Sequence, residues 1–421
     1  MIKINLCIIL ISLILINQLF TSVLSQKTFL DSPDNLRLYR LIRVGLFRIL
    51  GSTSTSERSL RKSKELNKMQ EQIAENVSFP CDVKGWRSDV RPTNVNRLKP
   101  GDIDIIASMG DSLSAGTGIF GSNLLHILIE NRGVTAAGGG QDTWRKFLTL
   151  PNILKEFNPN LYGYAEGDYS TLEKGSKLNV AELGSISSDM PYMASVLVKR
   201  LKSDSRIDMQ NHWKHISLMI GANDFCIFMC TTPPNEFLAN HERDIVETLR
   251  ILRDNIPRAF VSFIVAPNLR GLVKTRTDGK PSLYCDLLND FSCPCLFGLM
   301  NENKRQEYYK IMERWQRLEI KISKYPEFQR DDFTVMIHPF LMNVEFPKTD
   351  DGYSDPSYLT VDCFHVSQKT NFLYALNLWN SLLTPYENKL YEFLPSKLKC
   401  PTKKNPYLFT YNNVGLTEDS K

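Results

Sequence analysis

The sequence predicts an α/β domain, a mainly parallel β-sheet covered on both faces by helices. Four short apolar, β-branched runs at 103–109, 215–220, 259–265 and 333–337 each read as a strand. Longer stretches with helical periodicity, at 190–202, 240–255, 301–325 and 367–383, alternate with them. Such alternation places strands parallel, with helical crossovers between them. No internal repeat is visible. A single unit of roughly 320 residues, 81–400, is expected because the residues with chemical character come from both of its ends.

Taken in chain order, residues 1–25 come first. Lys3 precedes an apolar run from Leu6 to Ile16, then polar Asn17 and Gln18, then Val23-Leu24-Ser25. A basic start, an apolar stretch and a small residue at its exit are the parts of a secretory signal peptide. The alternative is an uncleaved anchor, but the run falls short of the ~20 residues that span a bilayer. No later segment has spanning length, and the tail 401–421 ends in polar Leu416-Thr-Glu-Asp-Ser-Lys421, unlike a lipid-anchor signal. A secreted chain without a transmembrane span or lipid anchor is expected.

Residues 26–80 form a basic amphipathic segment. Between 36 and 68 nine Lys/Arg stand against Glu57 and Glu65, a local excess of +7. The whole chain carries +5, so the remainder sits near −2. The basic character is therefore confined to one segment, unlike the basic face with stacking aromatics that nucleic-acid binding needs. Arg37, Arg40, Arg43 and Arg48 interleave with apolar residues. Such a helix can lie on an anionic membrane surface, act as a propeptide, or pack on the domain. With 42% hydrophobic and 23% charged residues the chain has the composition of a globular protein, neither disordered nor fibrous.

Cys7 leaves with the signal, and eight cysteines remain: 81, 226, 230, 285, 293, 295, 363 and 400. An even set in a secreted chain reads as a disulfide framework with unreadable pairing. Metal binding by Cys226/Cys230 and Cys293/Cys295 is the alternative, but no histidine stands at ligand spacing. Asn76-Val-Ser78 is a glycosylation acceptor pattern.

Four features carry chemistry. Ser108-Met-Gly-Asp-Ser-Leu-Ser-Ala-Gly116 follows the first strand, so Ser112 stands at a strand's carboxyl end, where α/β sheets bind ligands. Gly110 permits the tight turn. Backbone N–H groups there can face a developing oxyanion. Alone, the tripeptide could equally be a helix cap. Asp362-Cys-Phe-His365 places a carboxylate and an imidazole on one side of a turn ahead of a helix, where Asp362 can hold Nδ1–H and leave Nε2 as a base. The other five histidines have no acidic residue in a comparable pattern. Ile220-Gly-Ala-Asn-Asp224 ends a strand with an amide, Asn223, able to donate to an oxyanion. Leu183-Gly-Ser185 can supply the Gly184 N–H.

In this order the motifs resemble the GDSL, or SGNH, hydrolases: Gly-Asp-Ser-Leu at 110–113, a Gly loop at 184, Gly-x-Asn-Asp at 221–224 and Asp-x-x-His at 362–365. Residues 144–159, Asn223-Asp-Phe-Cys226, Cys293-Pro-Cys295, Asp331-Asp-Phe-Thr-Val335, 362–367 and 375–380 are similar to the phospholipase B branch. The resemblance covers roughly residues 80–395. It implies a three-layer α/β/α sandwich. It implies Ser112 as nucleophile, His365 as base, Asp362 as its orienter, and an oxyanion hole from Ser112 N–H, Gly184 N–H and the Asn223 side chain. It further implies phospholipid or lysophospholipid ester hydrolysis without metal or cofactor. Gly221-Ala222, Ser185 and the region 134–144 depart from the branch pattern, which bears on substrate preference. Two rivals are an acetyl- or small-ester esterase on the same fold and a catalytically inactive lipid-binding protein.

Overall fold

The computed structural model describes residues 33–280, 282–393 and 395–418. The expected signal peptide and Cys7 lie outside the described residues. The sheet has five strands: β1 Ile103–Gly110, β2 Trp213–Met219, β3 Ala259–Ile264, β4 Gln329–Arg330 and β5 Phe333–His338. Their order is β1-β2-β3-β5-β4. The four long strands run parallel, and β4 pairs antiparallel with β5.

The helices, in chain order, are α1 Pro33–Leu50, α2 Glu57–Glu65, α3 Ser112–Ala115, α4 Leu150–Phe157, α5 Met190–Ser203 and α6 Ala222–Ile227. There follow α7 Pro234–Asn255, α8 Arg270–Thr277, α9 Leu283–Ser292, α10 Pro294–Phe297, α11 Arg305–Ser323 and α12 Gln368–Leu382.

The parallel strands read as unbroken apolar runs because both faces are covered. Side chains alternate between two cores. Ile105, Ala107 and Met109 of β1, with Ile216, Leu218, Val261 and Phe263, meet α5, α7 and the end of α11 through Leu197, Leu249 and Ile322. Ile106, Phe260 and Met336 point the other way, onto α4 and α12 through Ile153, Phe157, Leu378 and Trp379. The architecture is thus helix, sheet, helix, as the strand–helix alternation predicts.

Beside β1 an irregular backbone takes the place of a sixth strand. Ile106 N–H donates to Tyr162 O at 2.8 Å, Ser108 N–H to Leu178 O at 3.1 Å, and Val180 N–H to Ser108 O at 2.9 Å. The run ends with Glu182 N–H on Gly110 O at 3.1 Å, two residues before Gly184.

The basic N-terminal segment lies against this body. The Arg43 guanidinium is buried, 2.7 Å from Leu128 O and 3.2 Å from Glu130. Arg40 Nε donates to Glu182 at 2.7 Å. After α1, Ser52 Oγ and the Thr53 and Ser54 amides converge on one oxygen of Asp168 at 2.7–2.9 Å. Leu38, Leu41, Ile42 and Ile49 are exposed instead. The packed body also continues past residue 400. Leu408 and Phe409 are buried, and Leu408 N–H donates to Leu98 O at 2.8 Å.

All eight cysteines expected in the mature chain form disulfides: Cys81–Cys400, Cys226–Cys293, Cys230–Cys295 and Cys285–Cys363. The cysteines weighed as metal ligands are therefore in covalent cross-links. Three of the four bridges fasten the insertion between β3 and α11, which carries α8, α9 and α10, to the rest of the molecule.

Candidate active site

β1 ends at Gly110, whose φ of +146° few L-residues adopt. A Cβ there would stand 2.2 Å from Met219 O, so the close approach of β1 to β2 requires glycine. Asp111 then caps the short helix α3, its Oδ1 accepting Leu113 N–H at 2.9 Å. Burial pushes the Asp111 carboxyl up to about 6, against the Leu113 N–H and His365, which favour its ionised form. Ser112 opens α3 and is buried.

The residues Asp362 and His365 do not sit within a helix turn. They occupy a tight loop closed by an antiparallel bridge between Leu359 and Val366, ahead of α12. Asp362 Oδ1 accepts the Thr360 hydroxyl at 2.5 Å and the Phe364 and His365 amides at 3.1 and 3.0 Å. Oδ2 is 2.5 Å from His365 Nδ1, and His365 Nε2 is 2.9 Å from Ser112 Oγ. With the Nδ1 proton on the carboxylate side, Nε2 presents a lone pair to the serine hydroxyl. Burial raises the Asp362 carboxyl, but His365 and the Thr360 and backbone donors outweigh it and hold the group well below the usual carboxylate range. It is a fixed anion aimed at the imidazole. Thr360 was not identified from sequence; a hydroxyl two residues before the acid is the only signal it leaves.

Cys363, between the acid and the base, adopts φ +59° and is bonded to Cys285 of α9. The loop is thus cross-linked to the insertion at the one residue that separates Asp362 from Phe364.

Asn223 is joined to the loop that carries Gly184 through the neighbouring Ser185. The Asn223 side-chain amide donates to Ser185 O at 2.8 Å, which spends one of its two N–H groups on the Gly184 loop. Gly184 has φ +81°, and an added Cβ would meet nothing within 4 Å, so its backbone conformation rather than lack of space favours glycine. The irregular run on β1 brings this loop to the Gly110–Ser112 turn, and Ala222, next to Asn223, lines the same cavity as Ser112.

Behind the Asn223 helix lies a buried polar chain that the sequence did not reveal. Both Asp224 oxygens lie 3.2 Å from Ser187 N. Ser187 Oγ is 2.8 Å from His241 Nδ1, and the His241 ring stacks on Trp315. Trp315 Nε1–H donates to Glu319 at 3.0 Å, whose other oxygen accepts Ala266 N–H at 2.9 Å. Burial, with Asp189 adding to it, pushes Asp224 up to about 8 despite the Ser187 amide. Burial likewise holds Glu319 well above, and His241 well below, its usual range. His241 and Glu319, 3.5 Å apart, form a histidine–acid pair that no local spacing announces.

In front of Ser112 is a cavity of about 80 Å³. Leu113, Leu269, Leu272, Leu341, Val344 and Phe364 are among the side chains lining it. The lining is almost wholly apolar, as an alkyl chain requires. No group of three or more His, Cys, Asp or Glu among the described residues is arranged to hold a metal ion.

Comparison with known proteins places the chain in a family. The family model for GDSL-like lipase/acylhydrolase matches residues 106–377. Membrane-associated phospholipase B1 of Rattus norvegicus is 36% identical over 346 residues, 81% of this chain and 23% of that protein. The Mus musculus protein of the same name is 34% identical over 346 residues, again 81% and 23%. The Homo sapiens one is 34% identical over 361 residues, 82% and 24%. The chain therefore spans about a quarter of the length of the curated relatives it matches.

Proposed function

Because the chain belongs to the GDSL-like lipase/acylhydrolase family, we propose that it is a serine esterase that hydrolyses acyl esters of phospholipids or lysophospholipids. The observation that carries this reading is the Ser112–His365–Asp362 chain of hydrogen bonds, 2.9 and 2.5 Å, at the wall of an apolar cavity. The nearest support for a lipid substrate is the phospholipase B1 name of the relatives.

In the proposed cycle Ser112 Oγ attacks the ester carbonyl as its proton passes to His365 Nε2. Asp362 stabilises the imidazolium that forms. The tetrahedral oxyanion takes hydrogen bonds from Ser112 N–H, Gly184 N–H and the Asn223 amide hydrogen not engaged by Ser185. His365 then protonates the departing alcohol oxygen. Water, losing its proton to the same nitrogen, repeats the sequence on the acyl-enzyme and releases the fatty acid.

The same reading takes the protein as secreted, with residues 1–25 removed and Asn76, which is exposed, glycosylated. Four disulfides favour an oxidising compartment. Among the described residues no helix is long and apolar enough to cross a membrane. The test is a mass-spectrometric product scan of purified protein and its Ser112→Ala variant across phospholipids, lysophospholipids and neutral esters. Free fatty acid from the phospholipid classes, lost by ~10⁴-fold or more in Ser112→Ala, is expected. Turnover of acetyl esters alone would replace the lipid reading with that of a small-ester esterase.

A further inference from the structure

Helix α9 is amphipathic in the wrong sense for a globular protein. Its inward side carries Cys285 and buried Asn289, and its acids Asp286 and Asp290 both pair with Arg276 of α8, at 2.9 and 2.6 Å. Leu283, Leu287 and Phe291, spaced four residues apart and so on one face, are 75, 61 and 77% exposed. Beyond α10 the turn adds Leu299 and Met300, 79 and 91% exposed. A cluster of large apolar side chains this exposed marks a docking surface.

We infer that this stripe, Leu283, Leu287 and Phe291 with Leu299 and Met300, is where the protein seats itself in the surface of a zwitterionic phospholipid layer. The inference rests on the lipid-hydrolase reading and adds the surface that delivers the substrate. Three observations select a lipid layer as the occupant. First, the stripe adjoins the site. Cys285 is bonded to Cys363, and the neighbouring Phe364, half-buried, lines the cavity in front of Ser112. Burial first, and the Asp362 carboxylate second, push up the pKa of Tyr284 beside the stripe. A protein bound here would crowd the opening, whereas a lipid layer supplies what must enter it. Second, the two arginines at its margin are matched. Arg276 is taken by Asp286 and Asp290, and Arg305 by Glu302 at 3.0 Å, so neither arginine calls for an anionic partner and exposed Lys304 is the one further basic group of the turn. Third, the insertion bearing it is fixed to both halves of the reacting apparatus. Cys226–Cys293 and Cys230–Cys295 tie it to α6 and the residues just beyond, and Cys285–Cys363 ties it to the Asp362–His365 loop.

The experiment uses full-length protein, phosphatidylcholine vesicles and a monomeric, water-soluble short-chain ester. Vesicle binding is read by flotation in the Ser112→Ala background, and turnover in the active protein. The double change Leu287→Ser, Phe291→Ser should weaken vesicle binding and vesicle hydrolysis at least about tenfold, with soluble-ester turnover kept within twofold. Unchanged vesicle binding by the double variant overturns the inference, and so does a parent protein that does not bind vesicles. If the parent binds vesicles through this stripe yet hydrolyses no lipid, the substrate reading fails and the surface stands. As a check independent of the folding of that variant, Phe291→Trp should be quenched by brominated phosphatidylcholine; fluorescence untouched by the brominated lipid counts against the stripe.

Discussion

Asp224 and Ser187 are joined through one amide, whose nitrogen lies 3.2 Å from each oxygen of the carboxyl group. Asn223, one residue earlier, donates to Ser185 O at 2.8 Å. Helix α6 therefore grips the loop that carries Gly184 at two adjacent points. The carboxyl that does so is neutral near pH 7, because burial has pushed it up to about 8.

That shift has a sign. The unfolded chain releases the Asp224 proton near its ordinary value of 3.8, while the folded chain keeps it until about 8. Between these values the folded state binds more protons, so the contribution is fully present below about pH 4 and is lost as pH rises through about 8. Asp224→Asn, which keeps an oxygen for the Ser187 N–H, should flatten the fall of Tm over this window. Parallel Tm–pH curves for parent and variant would show that Asp224 does not titrate in this way.

In the proposed mechanism Asp362 has a different task, to hold the imidazole in one tautomer. Asp362→Asn should lower kcat by roughly 10⁴-fold with little change in KM, the scale found when a triad acid loses its charge. Thr360→Val leaves the anion but deletes one of its donors, and a loss of about tenfold or less is expected. Steady-state kinetics on a soluble ester distinguish the two, and equal losses would mean that Thr360 matters beyond one hydrogen bond.

Removing the Cys285–Cys363 bridge by serine at both positions should cost about 2–4 kcal/mol of stability. The catalytic effect should exceed what stability explains, since the bridge holds the residue next to Asp362. Chemical denaturation and kcat measured on the same sample provide the comparison. A variant with lowered stability and full kcat would assign the bridge to folding alone.

On the proposed function the cavity sets the acyl preference. Val344 stands half-buried on its wall. Val344→Phe should reduce kcat/KM for long-chain esters by roughly tenfold relative to acetyl and butyryl esters, as pocket filling discriminates by chain length. An unchanged chain-length profile would mean that the acyl chain lies elsewhere.

How much of this was legible before folding depends on how local each signal is. The four parallel strands are visible as runs such as 259–265 because burial on both faces demands unbroken apolar sequence. β4, with two residues, leaves no periodicity to read. The irregular run at 162 and 178–182 pairs with β1 through backbone alone, so its side chains carry no strand pattern. Ser112, Gly184, Asn223, Asp362 and His365 stand out because each belongs to a short motif. Asp224 is in plain sight within one of them, yet its partners Ser187 and His241 come from distant helices and loops. The cavity draws on positions 113, 269–272, 341–346 and 364, which only the fold assembles. Disulfide pairing is global in the same way, since eight cysteines admit 105 arrangements.

The irregular run along β1 has a second effect, on solubility. An uncovered edge strand offers a row of free backbone groups to any passing chain. Here the outward-facing groups of Ile106 and Ser108 are already taken by 162 and 178–180, and at the opposite side the sheet tapers into the two residues of β4. The β1 border is not left as a template for self-association. A Cβ on Gly163 would stand 2.3 Å from Ile106 O, so a substitution there pries the run from β1. Such a lesion would surface as aggregation and as lost turnover together, because the backbone that seals the sheet is also the one that delivers Gly184.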